Sequence, residues 1–221
     1  MPPLPKPTEG GNFAPTPSGT HLAMCYRIID LGTQPIEYKG EKKMQHKILI
    51  SWELPDELMP DGEKEGEPFT VHHRYTWSMH EKASLRRDLE SWRGLAFQDG
   101  DFGPGGFEIQ NILGKPCLIT IVHETKGDKT YANIASISKL PKGMQAPKFP
   151  KNDPKFCWLN GEEFDRDVFD SLSDKLKQAI MDSPEYKAFT TGGGEHITDA
   201  PTKRLGAGDL DDEIPFGPET R

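Results

Sequence analysis

From Lys43 to Leu54 the chain alternates: Met44, His46, Ile48, Ile50, Trp52 and Leu54 fall on one side, Gln45, Lys47, Leu49, Ser51 and Glu53 on the other. A period of two belongs to an extended strand with one face turned to a core. The neighbouring segments have the same character. Leu22 to Leu31 is a β-rich run closed by the turn cluster Gly32, Thr33, Gln34, Pro35. After an acidic, Gly- and Pro-containing loop from Pro55 to Pro68, a third strand runs Phe69 to Ser78. It turns Phe69, Val71, His73, Tyr75 and Trp77 inward and Thr70, His72, Arg74 and Thr76 outward. The outward face is polar and partly basic.

Ser78-Met79-His80-Glu81 has capping-box form, so a helix is expected at once. Leu85, Leu89, Trp92 and Ala96 make its apolar stripe, and Gly94 marks where it frays. A short second turn, Phe107 to Leu113, stops at Gly114. Cys117 to His123 is a nearly continuous apolar strand, Lys126-Gly127-Asp128-Lys129 a hairpin tip, and Tyr131 to Leu140 the returning strand. The order β-β-β-α-β-β is that of the five-stranded Greek-key barrel called the OB-fold. The expected fold class is therefore mainly β: such a barrel with a helix between strands three and four, plus a C-terminal helix and disordered tails.

Composition sets the limits of that barrel. Only 34% of residues are hydrophobic, mean hydropathy is -0.68, and 22 Gly and 20 Pro punctuate the chain. One core of roughly 120 residues is expected. Residues 1–18, with Pro2, Pro3, Pro5, Pro7, Pro15 and Pro17, read as a disordered arm, and 19–140 as the barrel. Residues 141–189 form an extension, loosened by Pro141, Pro147, Pro150 and Pro154. Its helix is expected from about Glu163 to Asp182, where Phe164, Val168, Leu172, Leu176 and Ile180 recur at fourfold spacing. Residues 190–221 read as a flexible acidic tail. Cys25, Cys117 and Cys157 are too few and too far apart for a disulfide framework or a CxxC metal knuckle. With no apolar run of membrane-spanning length and no signal segment after Met1, a reduced, cytoplasmic setting is expected. More than half of the net charge of -8 lies in residues 141–221, so global acidity does not exclude an anionic ligand for the barrel.

The tail ends in Asp209-Leu210-Asp211-Asp212-Glu213-Ile214-Pro215-Phe216, concentrated acid leading to an apolar hook. Charges of this kind steer a segment to a basic-rimmed pocket and the ring anchors it; standing alone, the segment reads first as a solvated acidic tail. Asp-Asp-Glu-Ile-Pro-Phe resembles the acidic tip of bacterial and phage single-stranded DNA-binding proteins. In that family the tip follows an OB-fold and a Gly- and Pro-rich linker, the order of parts found here, and the layout is most similar to a phage-encoded member. The resemblance implies sequence-independent binding of single-stranded DNA in phage-type DNA replication or recombination, without a cofactor, in the cytoplasm of a bacterial host. It also implies that Asp209, Asp211, Asp212, Glu213, Ile214, Pro215 and Phe216 recruit replication or recombination proteins or compete with DNA. One departure stands out: the family's phenylalanine is terminal, whereas Gly217 to Arg221 follow Phe216.

OB-folds bind ligands on the outer face of strands two and three and on the loops joining strands one to two and four to five. The first of those loops offers Tyr38, Lys39, Lys42 and Lys43, diluted by Glu37 and Glu41, and Lys47 continues onto strand two. The second offers Lys126, Lys129 and Tyr131, with His72 and Arg74 between the two. Cations would hold phosphates, and Tyr38 and Tyr131 would stack bases at about 1–3 kcal/mol each. Trp52, Tyr75 and Trp77 read as core, and Arg86, Arg87 and Arg93 as the exposed side of the helix. The seven His fall in no metal or catalytic spacing, His72 and His73 point to opposite faces, and Gly103-Pro104-Gly105-Gly106 is a turn rather than a phosphate cradle. No enzyme is expected. Two alternatives remain open: a protein-interaction adaptor with an OB-like barrel, and a nuclease using scattered carboxylates such as Asp30, Glu53 and Glu124.

Overall fold

The structure, a computed structural model, describes residues 15–191 apart from Lys39, Glu63, Asp128, Gly161 and Glu162. Most of the N-terminal arm and the whole acidic tip therefore lie outside the described residues. The alternation at 43–54 does become a strand, and it is the centre of a mainly β architecture. Strand β1 (Gly19–Tyr38) pairs with β2 (Glu41–Leu58), and β2 with β3 (Pro68–Thr76). Helix α1 (Ser84–Arg93) follows, then β4 (Pro116–Lys126) and β5 (Lys129–Ser138). The sheet order is β3-β2-β1-β4-β5, all antiparallel. A short β6 (Lys155–Cys157) runs parallel to β1 beside Arg27–Ile29, just past the point where β4 begins opposite Met24. The sheet is open. Among the described residues β3 and β5 are not paired with each other, and α1 packs against both of these edge strands.

β1 is longer than expected because the Gly32–Pro35 cluster does not turn the chain. It lies within β1, and the strand absorbs it at a bulge between Asp30 and Gly32. Gly32 has φ +67°, and a Cβ there would stand 2.6 Å from the Ser183 side chain. Glycine is required both for the backbone and for the close approach. Pro35 is tolerated because past Ile29 no strand is paired on the other edge of β1 among the described residues.

The helices depart from expectation in two places. α1 begins at Ser84 after Ala83, which offers no side-chain cap; the Ser78 hydroxyl instead accepts the His80 N–H at 3.3 Å in the preceding turn. Leu85, Leu89 and Trp92 are buried as the stripe requires, but Ala96 lies past the left-handed Gly94 and is exposed. The expected helix over 163–182 is broken. It comprises α2 (Arg166–Asp170) and α3 (Asp174–Asp182), followed by α4 (Pro184–Thr191). The Ser171 hydroxyl donates to the Val168 carbonyl at 2.7 Å and Ser173 starts α3, residues that favour helix ends over helix interiors.

Two hydrophobic clusters share the central strands. On the inner face, Ile48, Ile50, Trp52 and Leu54 pack with Val71, Tyr75, Leu89, Trp92, Ile119 and Ile137. On the outer face, Ile29, Leu31 and Leu49 pack with Cys157, Phe169, Leu172, Leu176 and Ile180 of the extension. Leu49, Ser51 and Glu53, expected on an open face, are therefore buried. All three cysteines are buried and unpaired. No helix among the described residues is long and apolar enough to cross a membrane.

Candidate functional site

The expected DNA-binding residues fall into three groups. The first is a strip on the outer face of β2 and β3: Lys47 stands opposite Thr76, Arg74 opposite Leu49 and His72 opposite Ser51. Side chains two apart on neighbouring strands lie on one face, so these three cationic or cationisable groups form a row. Lys47 Nζ donates to Thr76 Oγ1 at 2.8 Å, and Thr76 Oγ1 donates in turn to Gln45 Oε1 at 3.0 Å. Lys47 is thereby held at the end of the row.

The second group occupies the far end of the β1–β2 ribbon. Tyr38 is paired with Glu41, Glu37 with Lys42, and Ile36 with Lys43, so these residues belong to a two-stranded arm rather than a loop. Lys42 is exposed and Lys43 half-buried; Lys39 lies outside the described residues. The third group is the β4–β5 hairpin, where Lys126 pairs with Lys129 and Tyr131 with Glu124. Lys126 Nζ lies 3.2 Å from Glu124 Oε1, an exposed pair of small energetic consequence. The ladder places this hairpin beyond Gly19, at the end of β1 opposite to Tyr38. Asp209, Asp211, Asp212, Glu213, Ile214, Pro215 and Phe216 lie outside the described residues.

The arginines of α1 have local partners. Arg86 Nε is 2.9 Å from Glu90 Oε1 and Arg87 Nε is 3.2 Å from Asp88 Oδ1. The Arg93 guanidinium lies over the Phe97 ring at 4.2 Å and reaches Asp101 at 3.3 Å, which fixes it against the loop after the helix.

The carboxylates do not converge. Glu53, 1% exposed, accepts the Lys151 N–H at 2.6 Å and the Asn152 N–H and Nδ2–H at 2.7 Å each. Asp30, 2% exposed, accepts the Gly32 N–H at 2.8 Å and the Leu159 N–H at 3.3 Å, and pairs with His46 Nε2 at 2.6 Å. Both acids fasten the extension to the sheet. Glu124 sits on the exposed hairpin with Asn133 Nδ2 at 3.0 Å. Among the described residues no group of three or more His, Cys, Asp or Glu is placed to hold a metal ion.

Around His46 the joint is charged on both sides. His46 Nδ1 is 3.9 Å from Glu185 Oε1, and Glu185 accepts the Thr33 N–H at 2.8 Å and the Thr33 hydroxyl. Burial pushes the His46 imidazole down, but the Asp30 hydrogen bond and the charges of Asp30 and Glu185 outweigh it and hold the value above the ordinary histidine range. Burial pushes Glu185 up, and the two Thr33 donors with the His46 charge bring it below the ordinary carboxylate range.

Two residues outside the expected set stand next to this joint. Trp77 continues the inner face of β3 as expected but is 39% exposed. Trp158, from the segment after β6, meets it at a ring-centroid distance of 4.9 Å and an interplanar angle of 69°. Period two could tell which way Trp77 points, but not that the core ends before it. No protein-family model matches the chain, and no curated protein matches it.

Proposed function

We propose that this protein is a non-enzymatic binder of single-stranded DNA, with little sequence preference, serving phage-type DNA replication or recombination. Its sheet is read as an open form of the OB barrel. The order β3-β2-β1-β4-β5, a bulged β1 shared by two neighbours, and a helix lying against the two edge strands all support that reading. The observation that carries the function is the half-buried row Lys47, Arg74, His72 along the β3 edge of the outer face, beside the part of that face the extension covers; such barrels use the outer face of strands two and three. Phosphates would follow that row while Lys43, on the same face of the ribbon, extends it. The residues Asp209 to Phe216 would recruit replication or recombination proteins, or compete with DNA for the cations.

Fluorescence anisotropy with labelled oligo(dT) at graded salt tests the proposal. Affinity should fall with a linear log–log dependence on salt, because phosphate contacts release counterions. Lys47→Ala with Arg74→Ala should flatten that slope by about one to two units. No binding at low salt would turn the reading to the protein-interaction adaptor.

A further inference from the structure

Trp77 is the first residue after β3, and its N–H donates to the His46 carbonyl at 2.7 Å, which prolongs the β2–β3 ladder by one step. It therefore shares the inner face with Tyr75 and His46. Along that face burial changes abruptly. Ile48 and Tyr75 are enclosed, whereas Trp77 and, at 58% exposure, Met44 are open. The inner face runs on past the end of the core, and what stands beside it there is aromatic.

Trp158 has a fixed plane. It is stacked on Phe156 at 5.8 Å and 9°, lies 6.5 Å from the His46 ring at 26°, and His46 is itself held by Asp30. Trp77 meets this ring nearly at right angles, a geometry that braces one indole against another without face-to-face stacking between them. Lys42 is exposed and, by alternation along β2, on the same face as Met44 and His46. Of the nearby acids, Asp30 and Glu185 engage His46 and Thr33, Glu37 is the ladder partner of Lys42, and the exposed Glu41 precedes it.

We propose that Trp77, braced by Trp158, is a stacking platform for a base of single-stranded nucleic acid, with Lys42 meeting the adjoining phosphate. The proposal rests on the DNA-binding reading and sharpens it, because the platform lies on the opposite side of the sheet from the Lys47–Arg74–His72 row. β3 is an edge strand, and Trp77 adjoins Thr76, which receives Lys47. A polynucleotide following the outer row reaches the indole by passing over the end of β3. A rigid exposed ring with a cation two positions further along the same face of β2 suits a base and a phosphate of one strand, since every base presents a π-face.

Oligo(dT) binding by Trp77→Ala and Trp77→Phe in the full chain provides the test. Trp77→Ala should weaken binding roughly tenfold, Trp77→Phe much less, and neither should change the salt slope, because stacking releases no counterions. Trp52 and Trp92 are buried and Trp158 is half-buried, so quenching of intrinsic emission by oligo(dT) should lose a large part of its amplitude in Trp77→Phe, with a remainder from Trp158. That second readout keeps the test decisive where Trp77→Ala folds poorly. Wild-type affinity and slope with undiminished quenching in Trp77→Phe would overturn the platform while leaving DNA binding intact. A flattened slope in Trp77→Ala would assign the loss to phosphate contacts and also overturn it. Absence of binding by the wild-type chain would remove the functional reading and the platform together.

Discussion

Between Ile48 and Leu54, β2 is buried on both faces, but the two faces are covered in different ways. The inner face packs against α1 and its own sheet neighbours, with Tyr75 donating to Asp88 at 3.0 Å and Trp92 to the Pro116 carbonyl at 2.9 Å at its margin. The outer face is covered by a segment from much later in the chain, and two buried carboxylates, Glu53 and Asp30, receive backbone N–H groups from it. An apolar face accepts any well-shaped partner, whereas a buried carboxylate accepts only donors in the right place. The inner core therefore supplies general stability, and the outer one fixes the register in which the extension docks.

Cutting into each core should separate them. Trp52→Ala, at the centre of the inner cluster, should cost about 3–5 kcal/mol and lower the whole unfolding transition. Leu176→Ala in the outer cluster should cost about 2–4 kcal/mol, felt first in the extension. Limited proteolysis should then cleave within residues 150–191 while β1–β5 stays protected. Equal loss of protection everywhere would show the two cores to be one cooperative unit.

The staple itself gives a smaller effect. Glu53→Gln keeps the volume but replaces one acceptor oxygen by an amino group facing the donors of Lys151 and Asn152, at about 1–3 kcal/mol. The loss should appear as faster hydrogen exchange at Lys151 and Asn152, with α1 unchanged. Exchange rates at those two amides equal to the wild type would mean that the apolar contacts alone hold the extension.

The same contrast explains what could be read before the fold was known. Period two in β2 and β3 and the stripe Leu85, Leu89, Trp92 report a local geometry, and each of these segments forms where expected. Alternation says that Leu49 and Glu53 share a face; it cannot say that residues a hundred positions later cover it. Fourfold spacing from Phe164 to Ile180 holds equally for one helix or for two separated at Ser171–Ser173. Of the site, the row Lys47, Arg74, His72 was legible because it depends only on strand register. Trp77 was not, since its exposure depends on where the core ends, and Trp158 comes from a segment with no periodic signal.

The smallest effect concerns the joint between the two regions, where His46 stands between Asp30 and Glu185. The folded-state value of His46 is raised, so its contribution is complete below the ordinary value of 6.5 and is lost as pH rises through the raised value. Glu185 is lowered, so its contribution is present above 4.5 and is lost as pH falls through the lowered value. Attachment of α4 should therefore be tightest between these limits, and urea midpoints measured across pH should decline on both sides. His46→Gln should flatten the alkaline limb, and Glu185→Gln the acid one. Because the two shifts share one electrostatic contact, each substitution should also reduce the other's limb slightly, whereas an alkaline limb that survives His46→Gln unchanged would place its origin outside the joint.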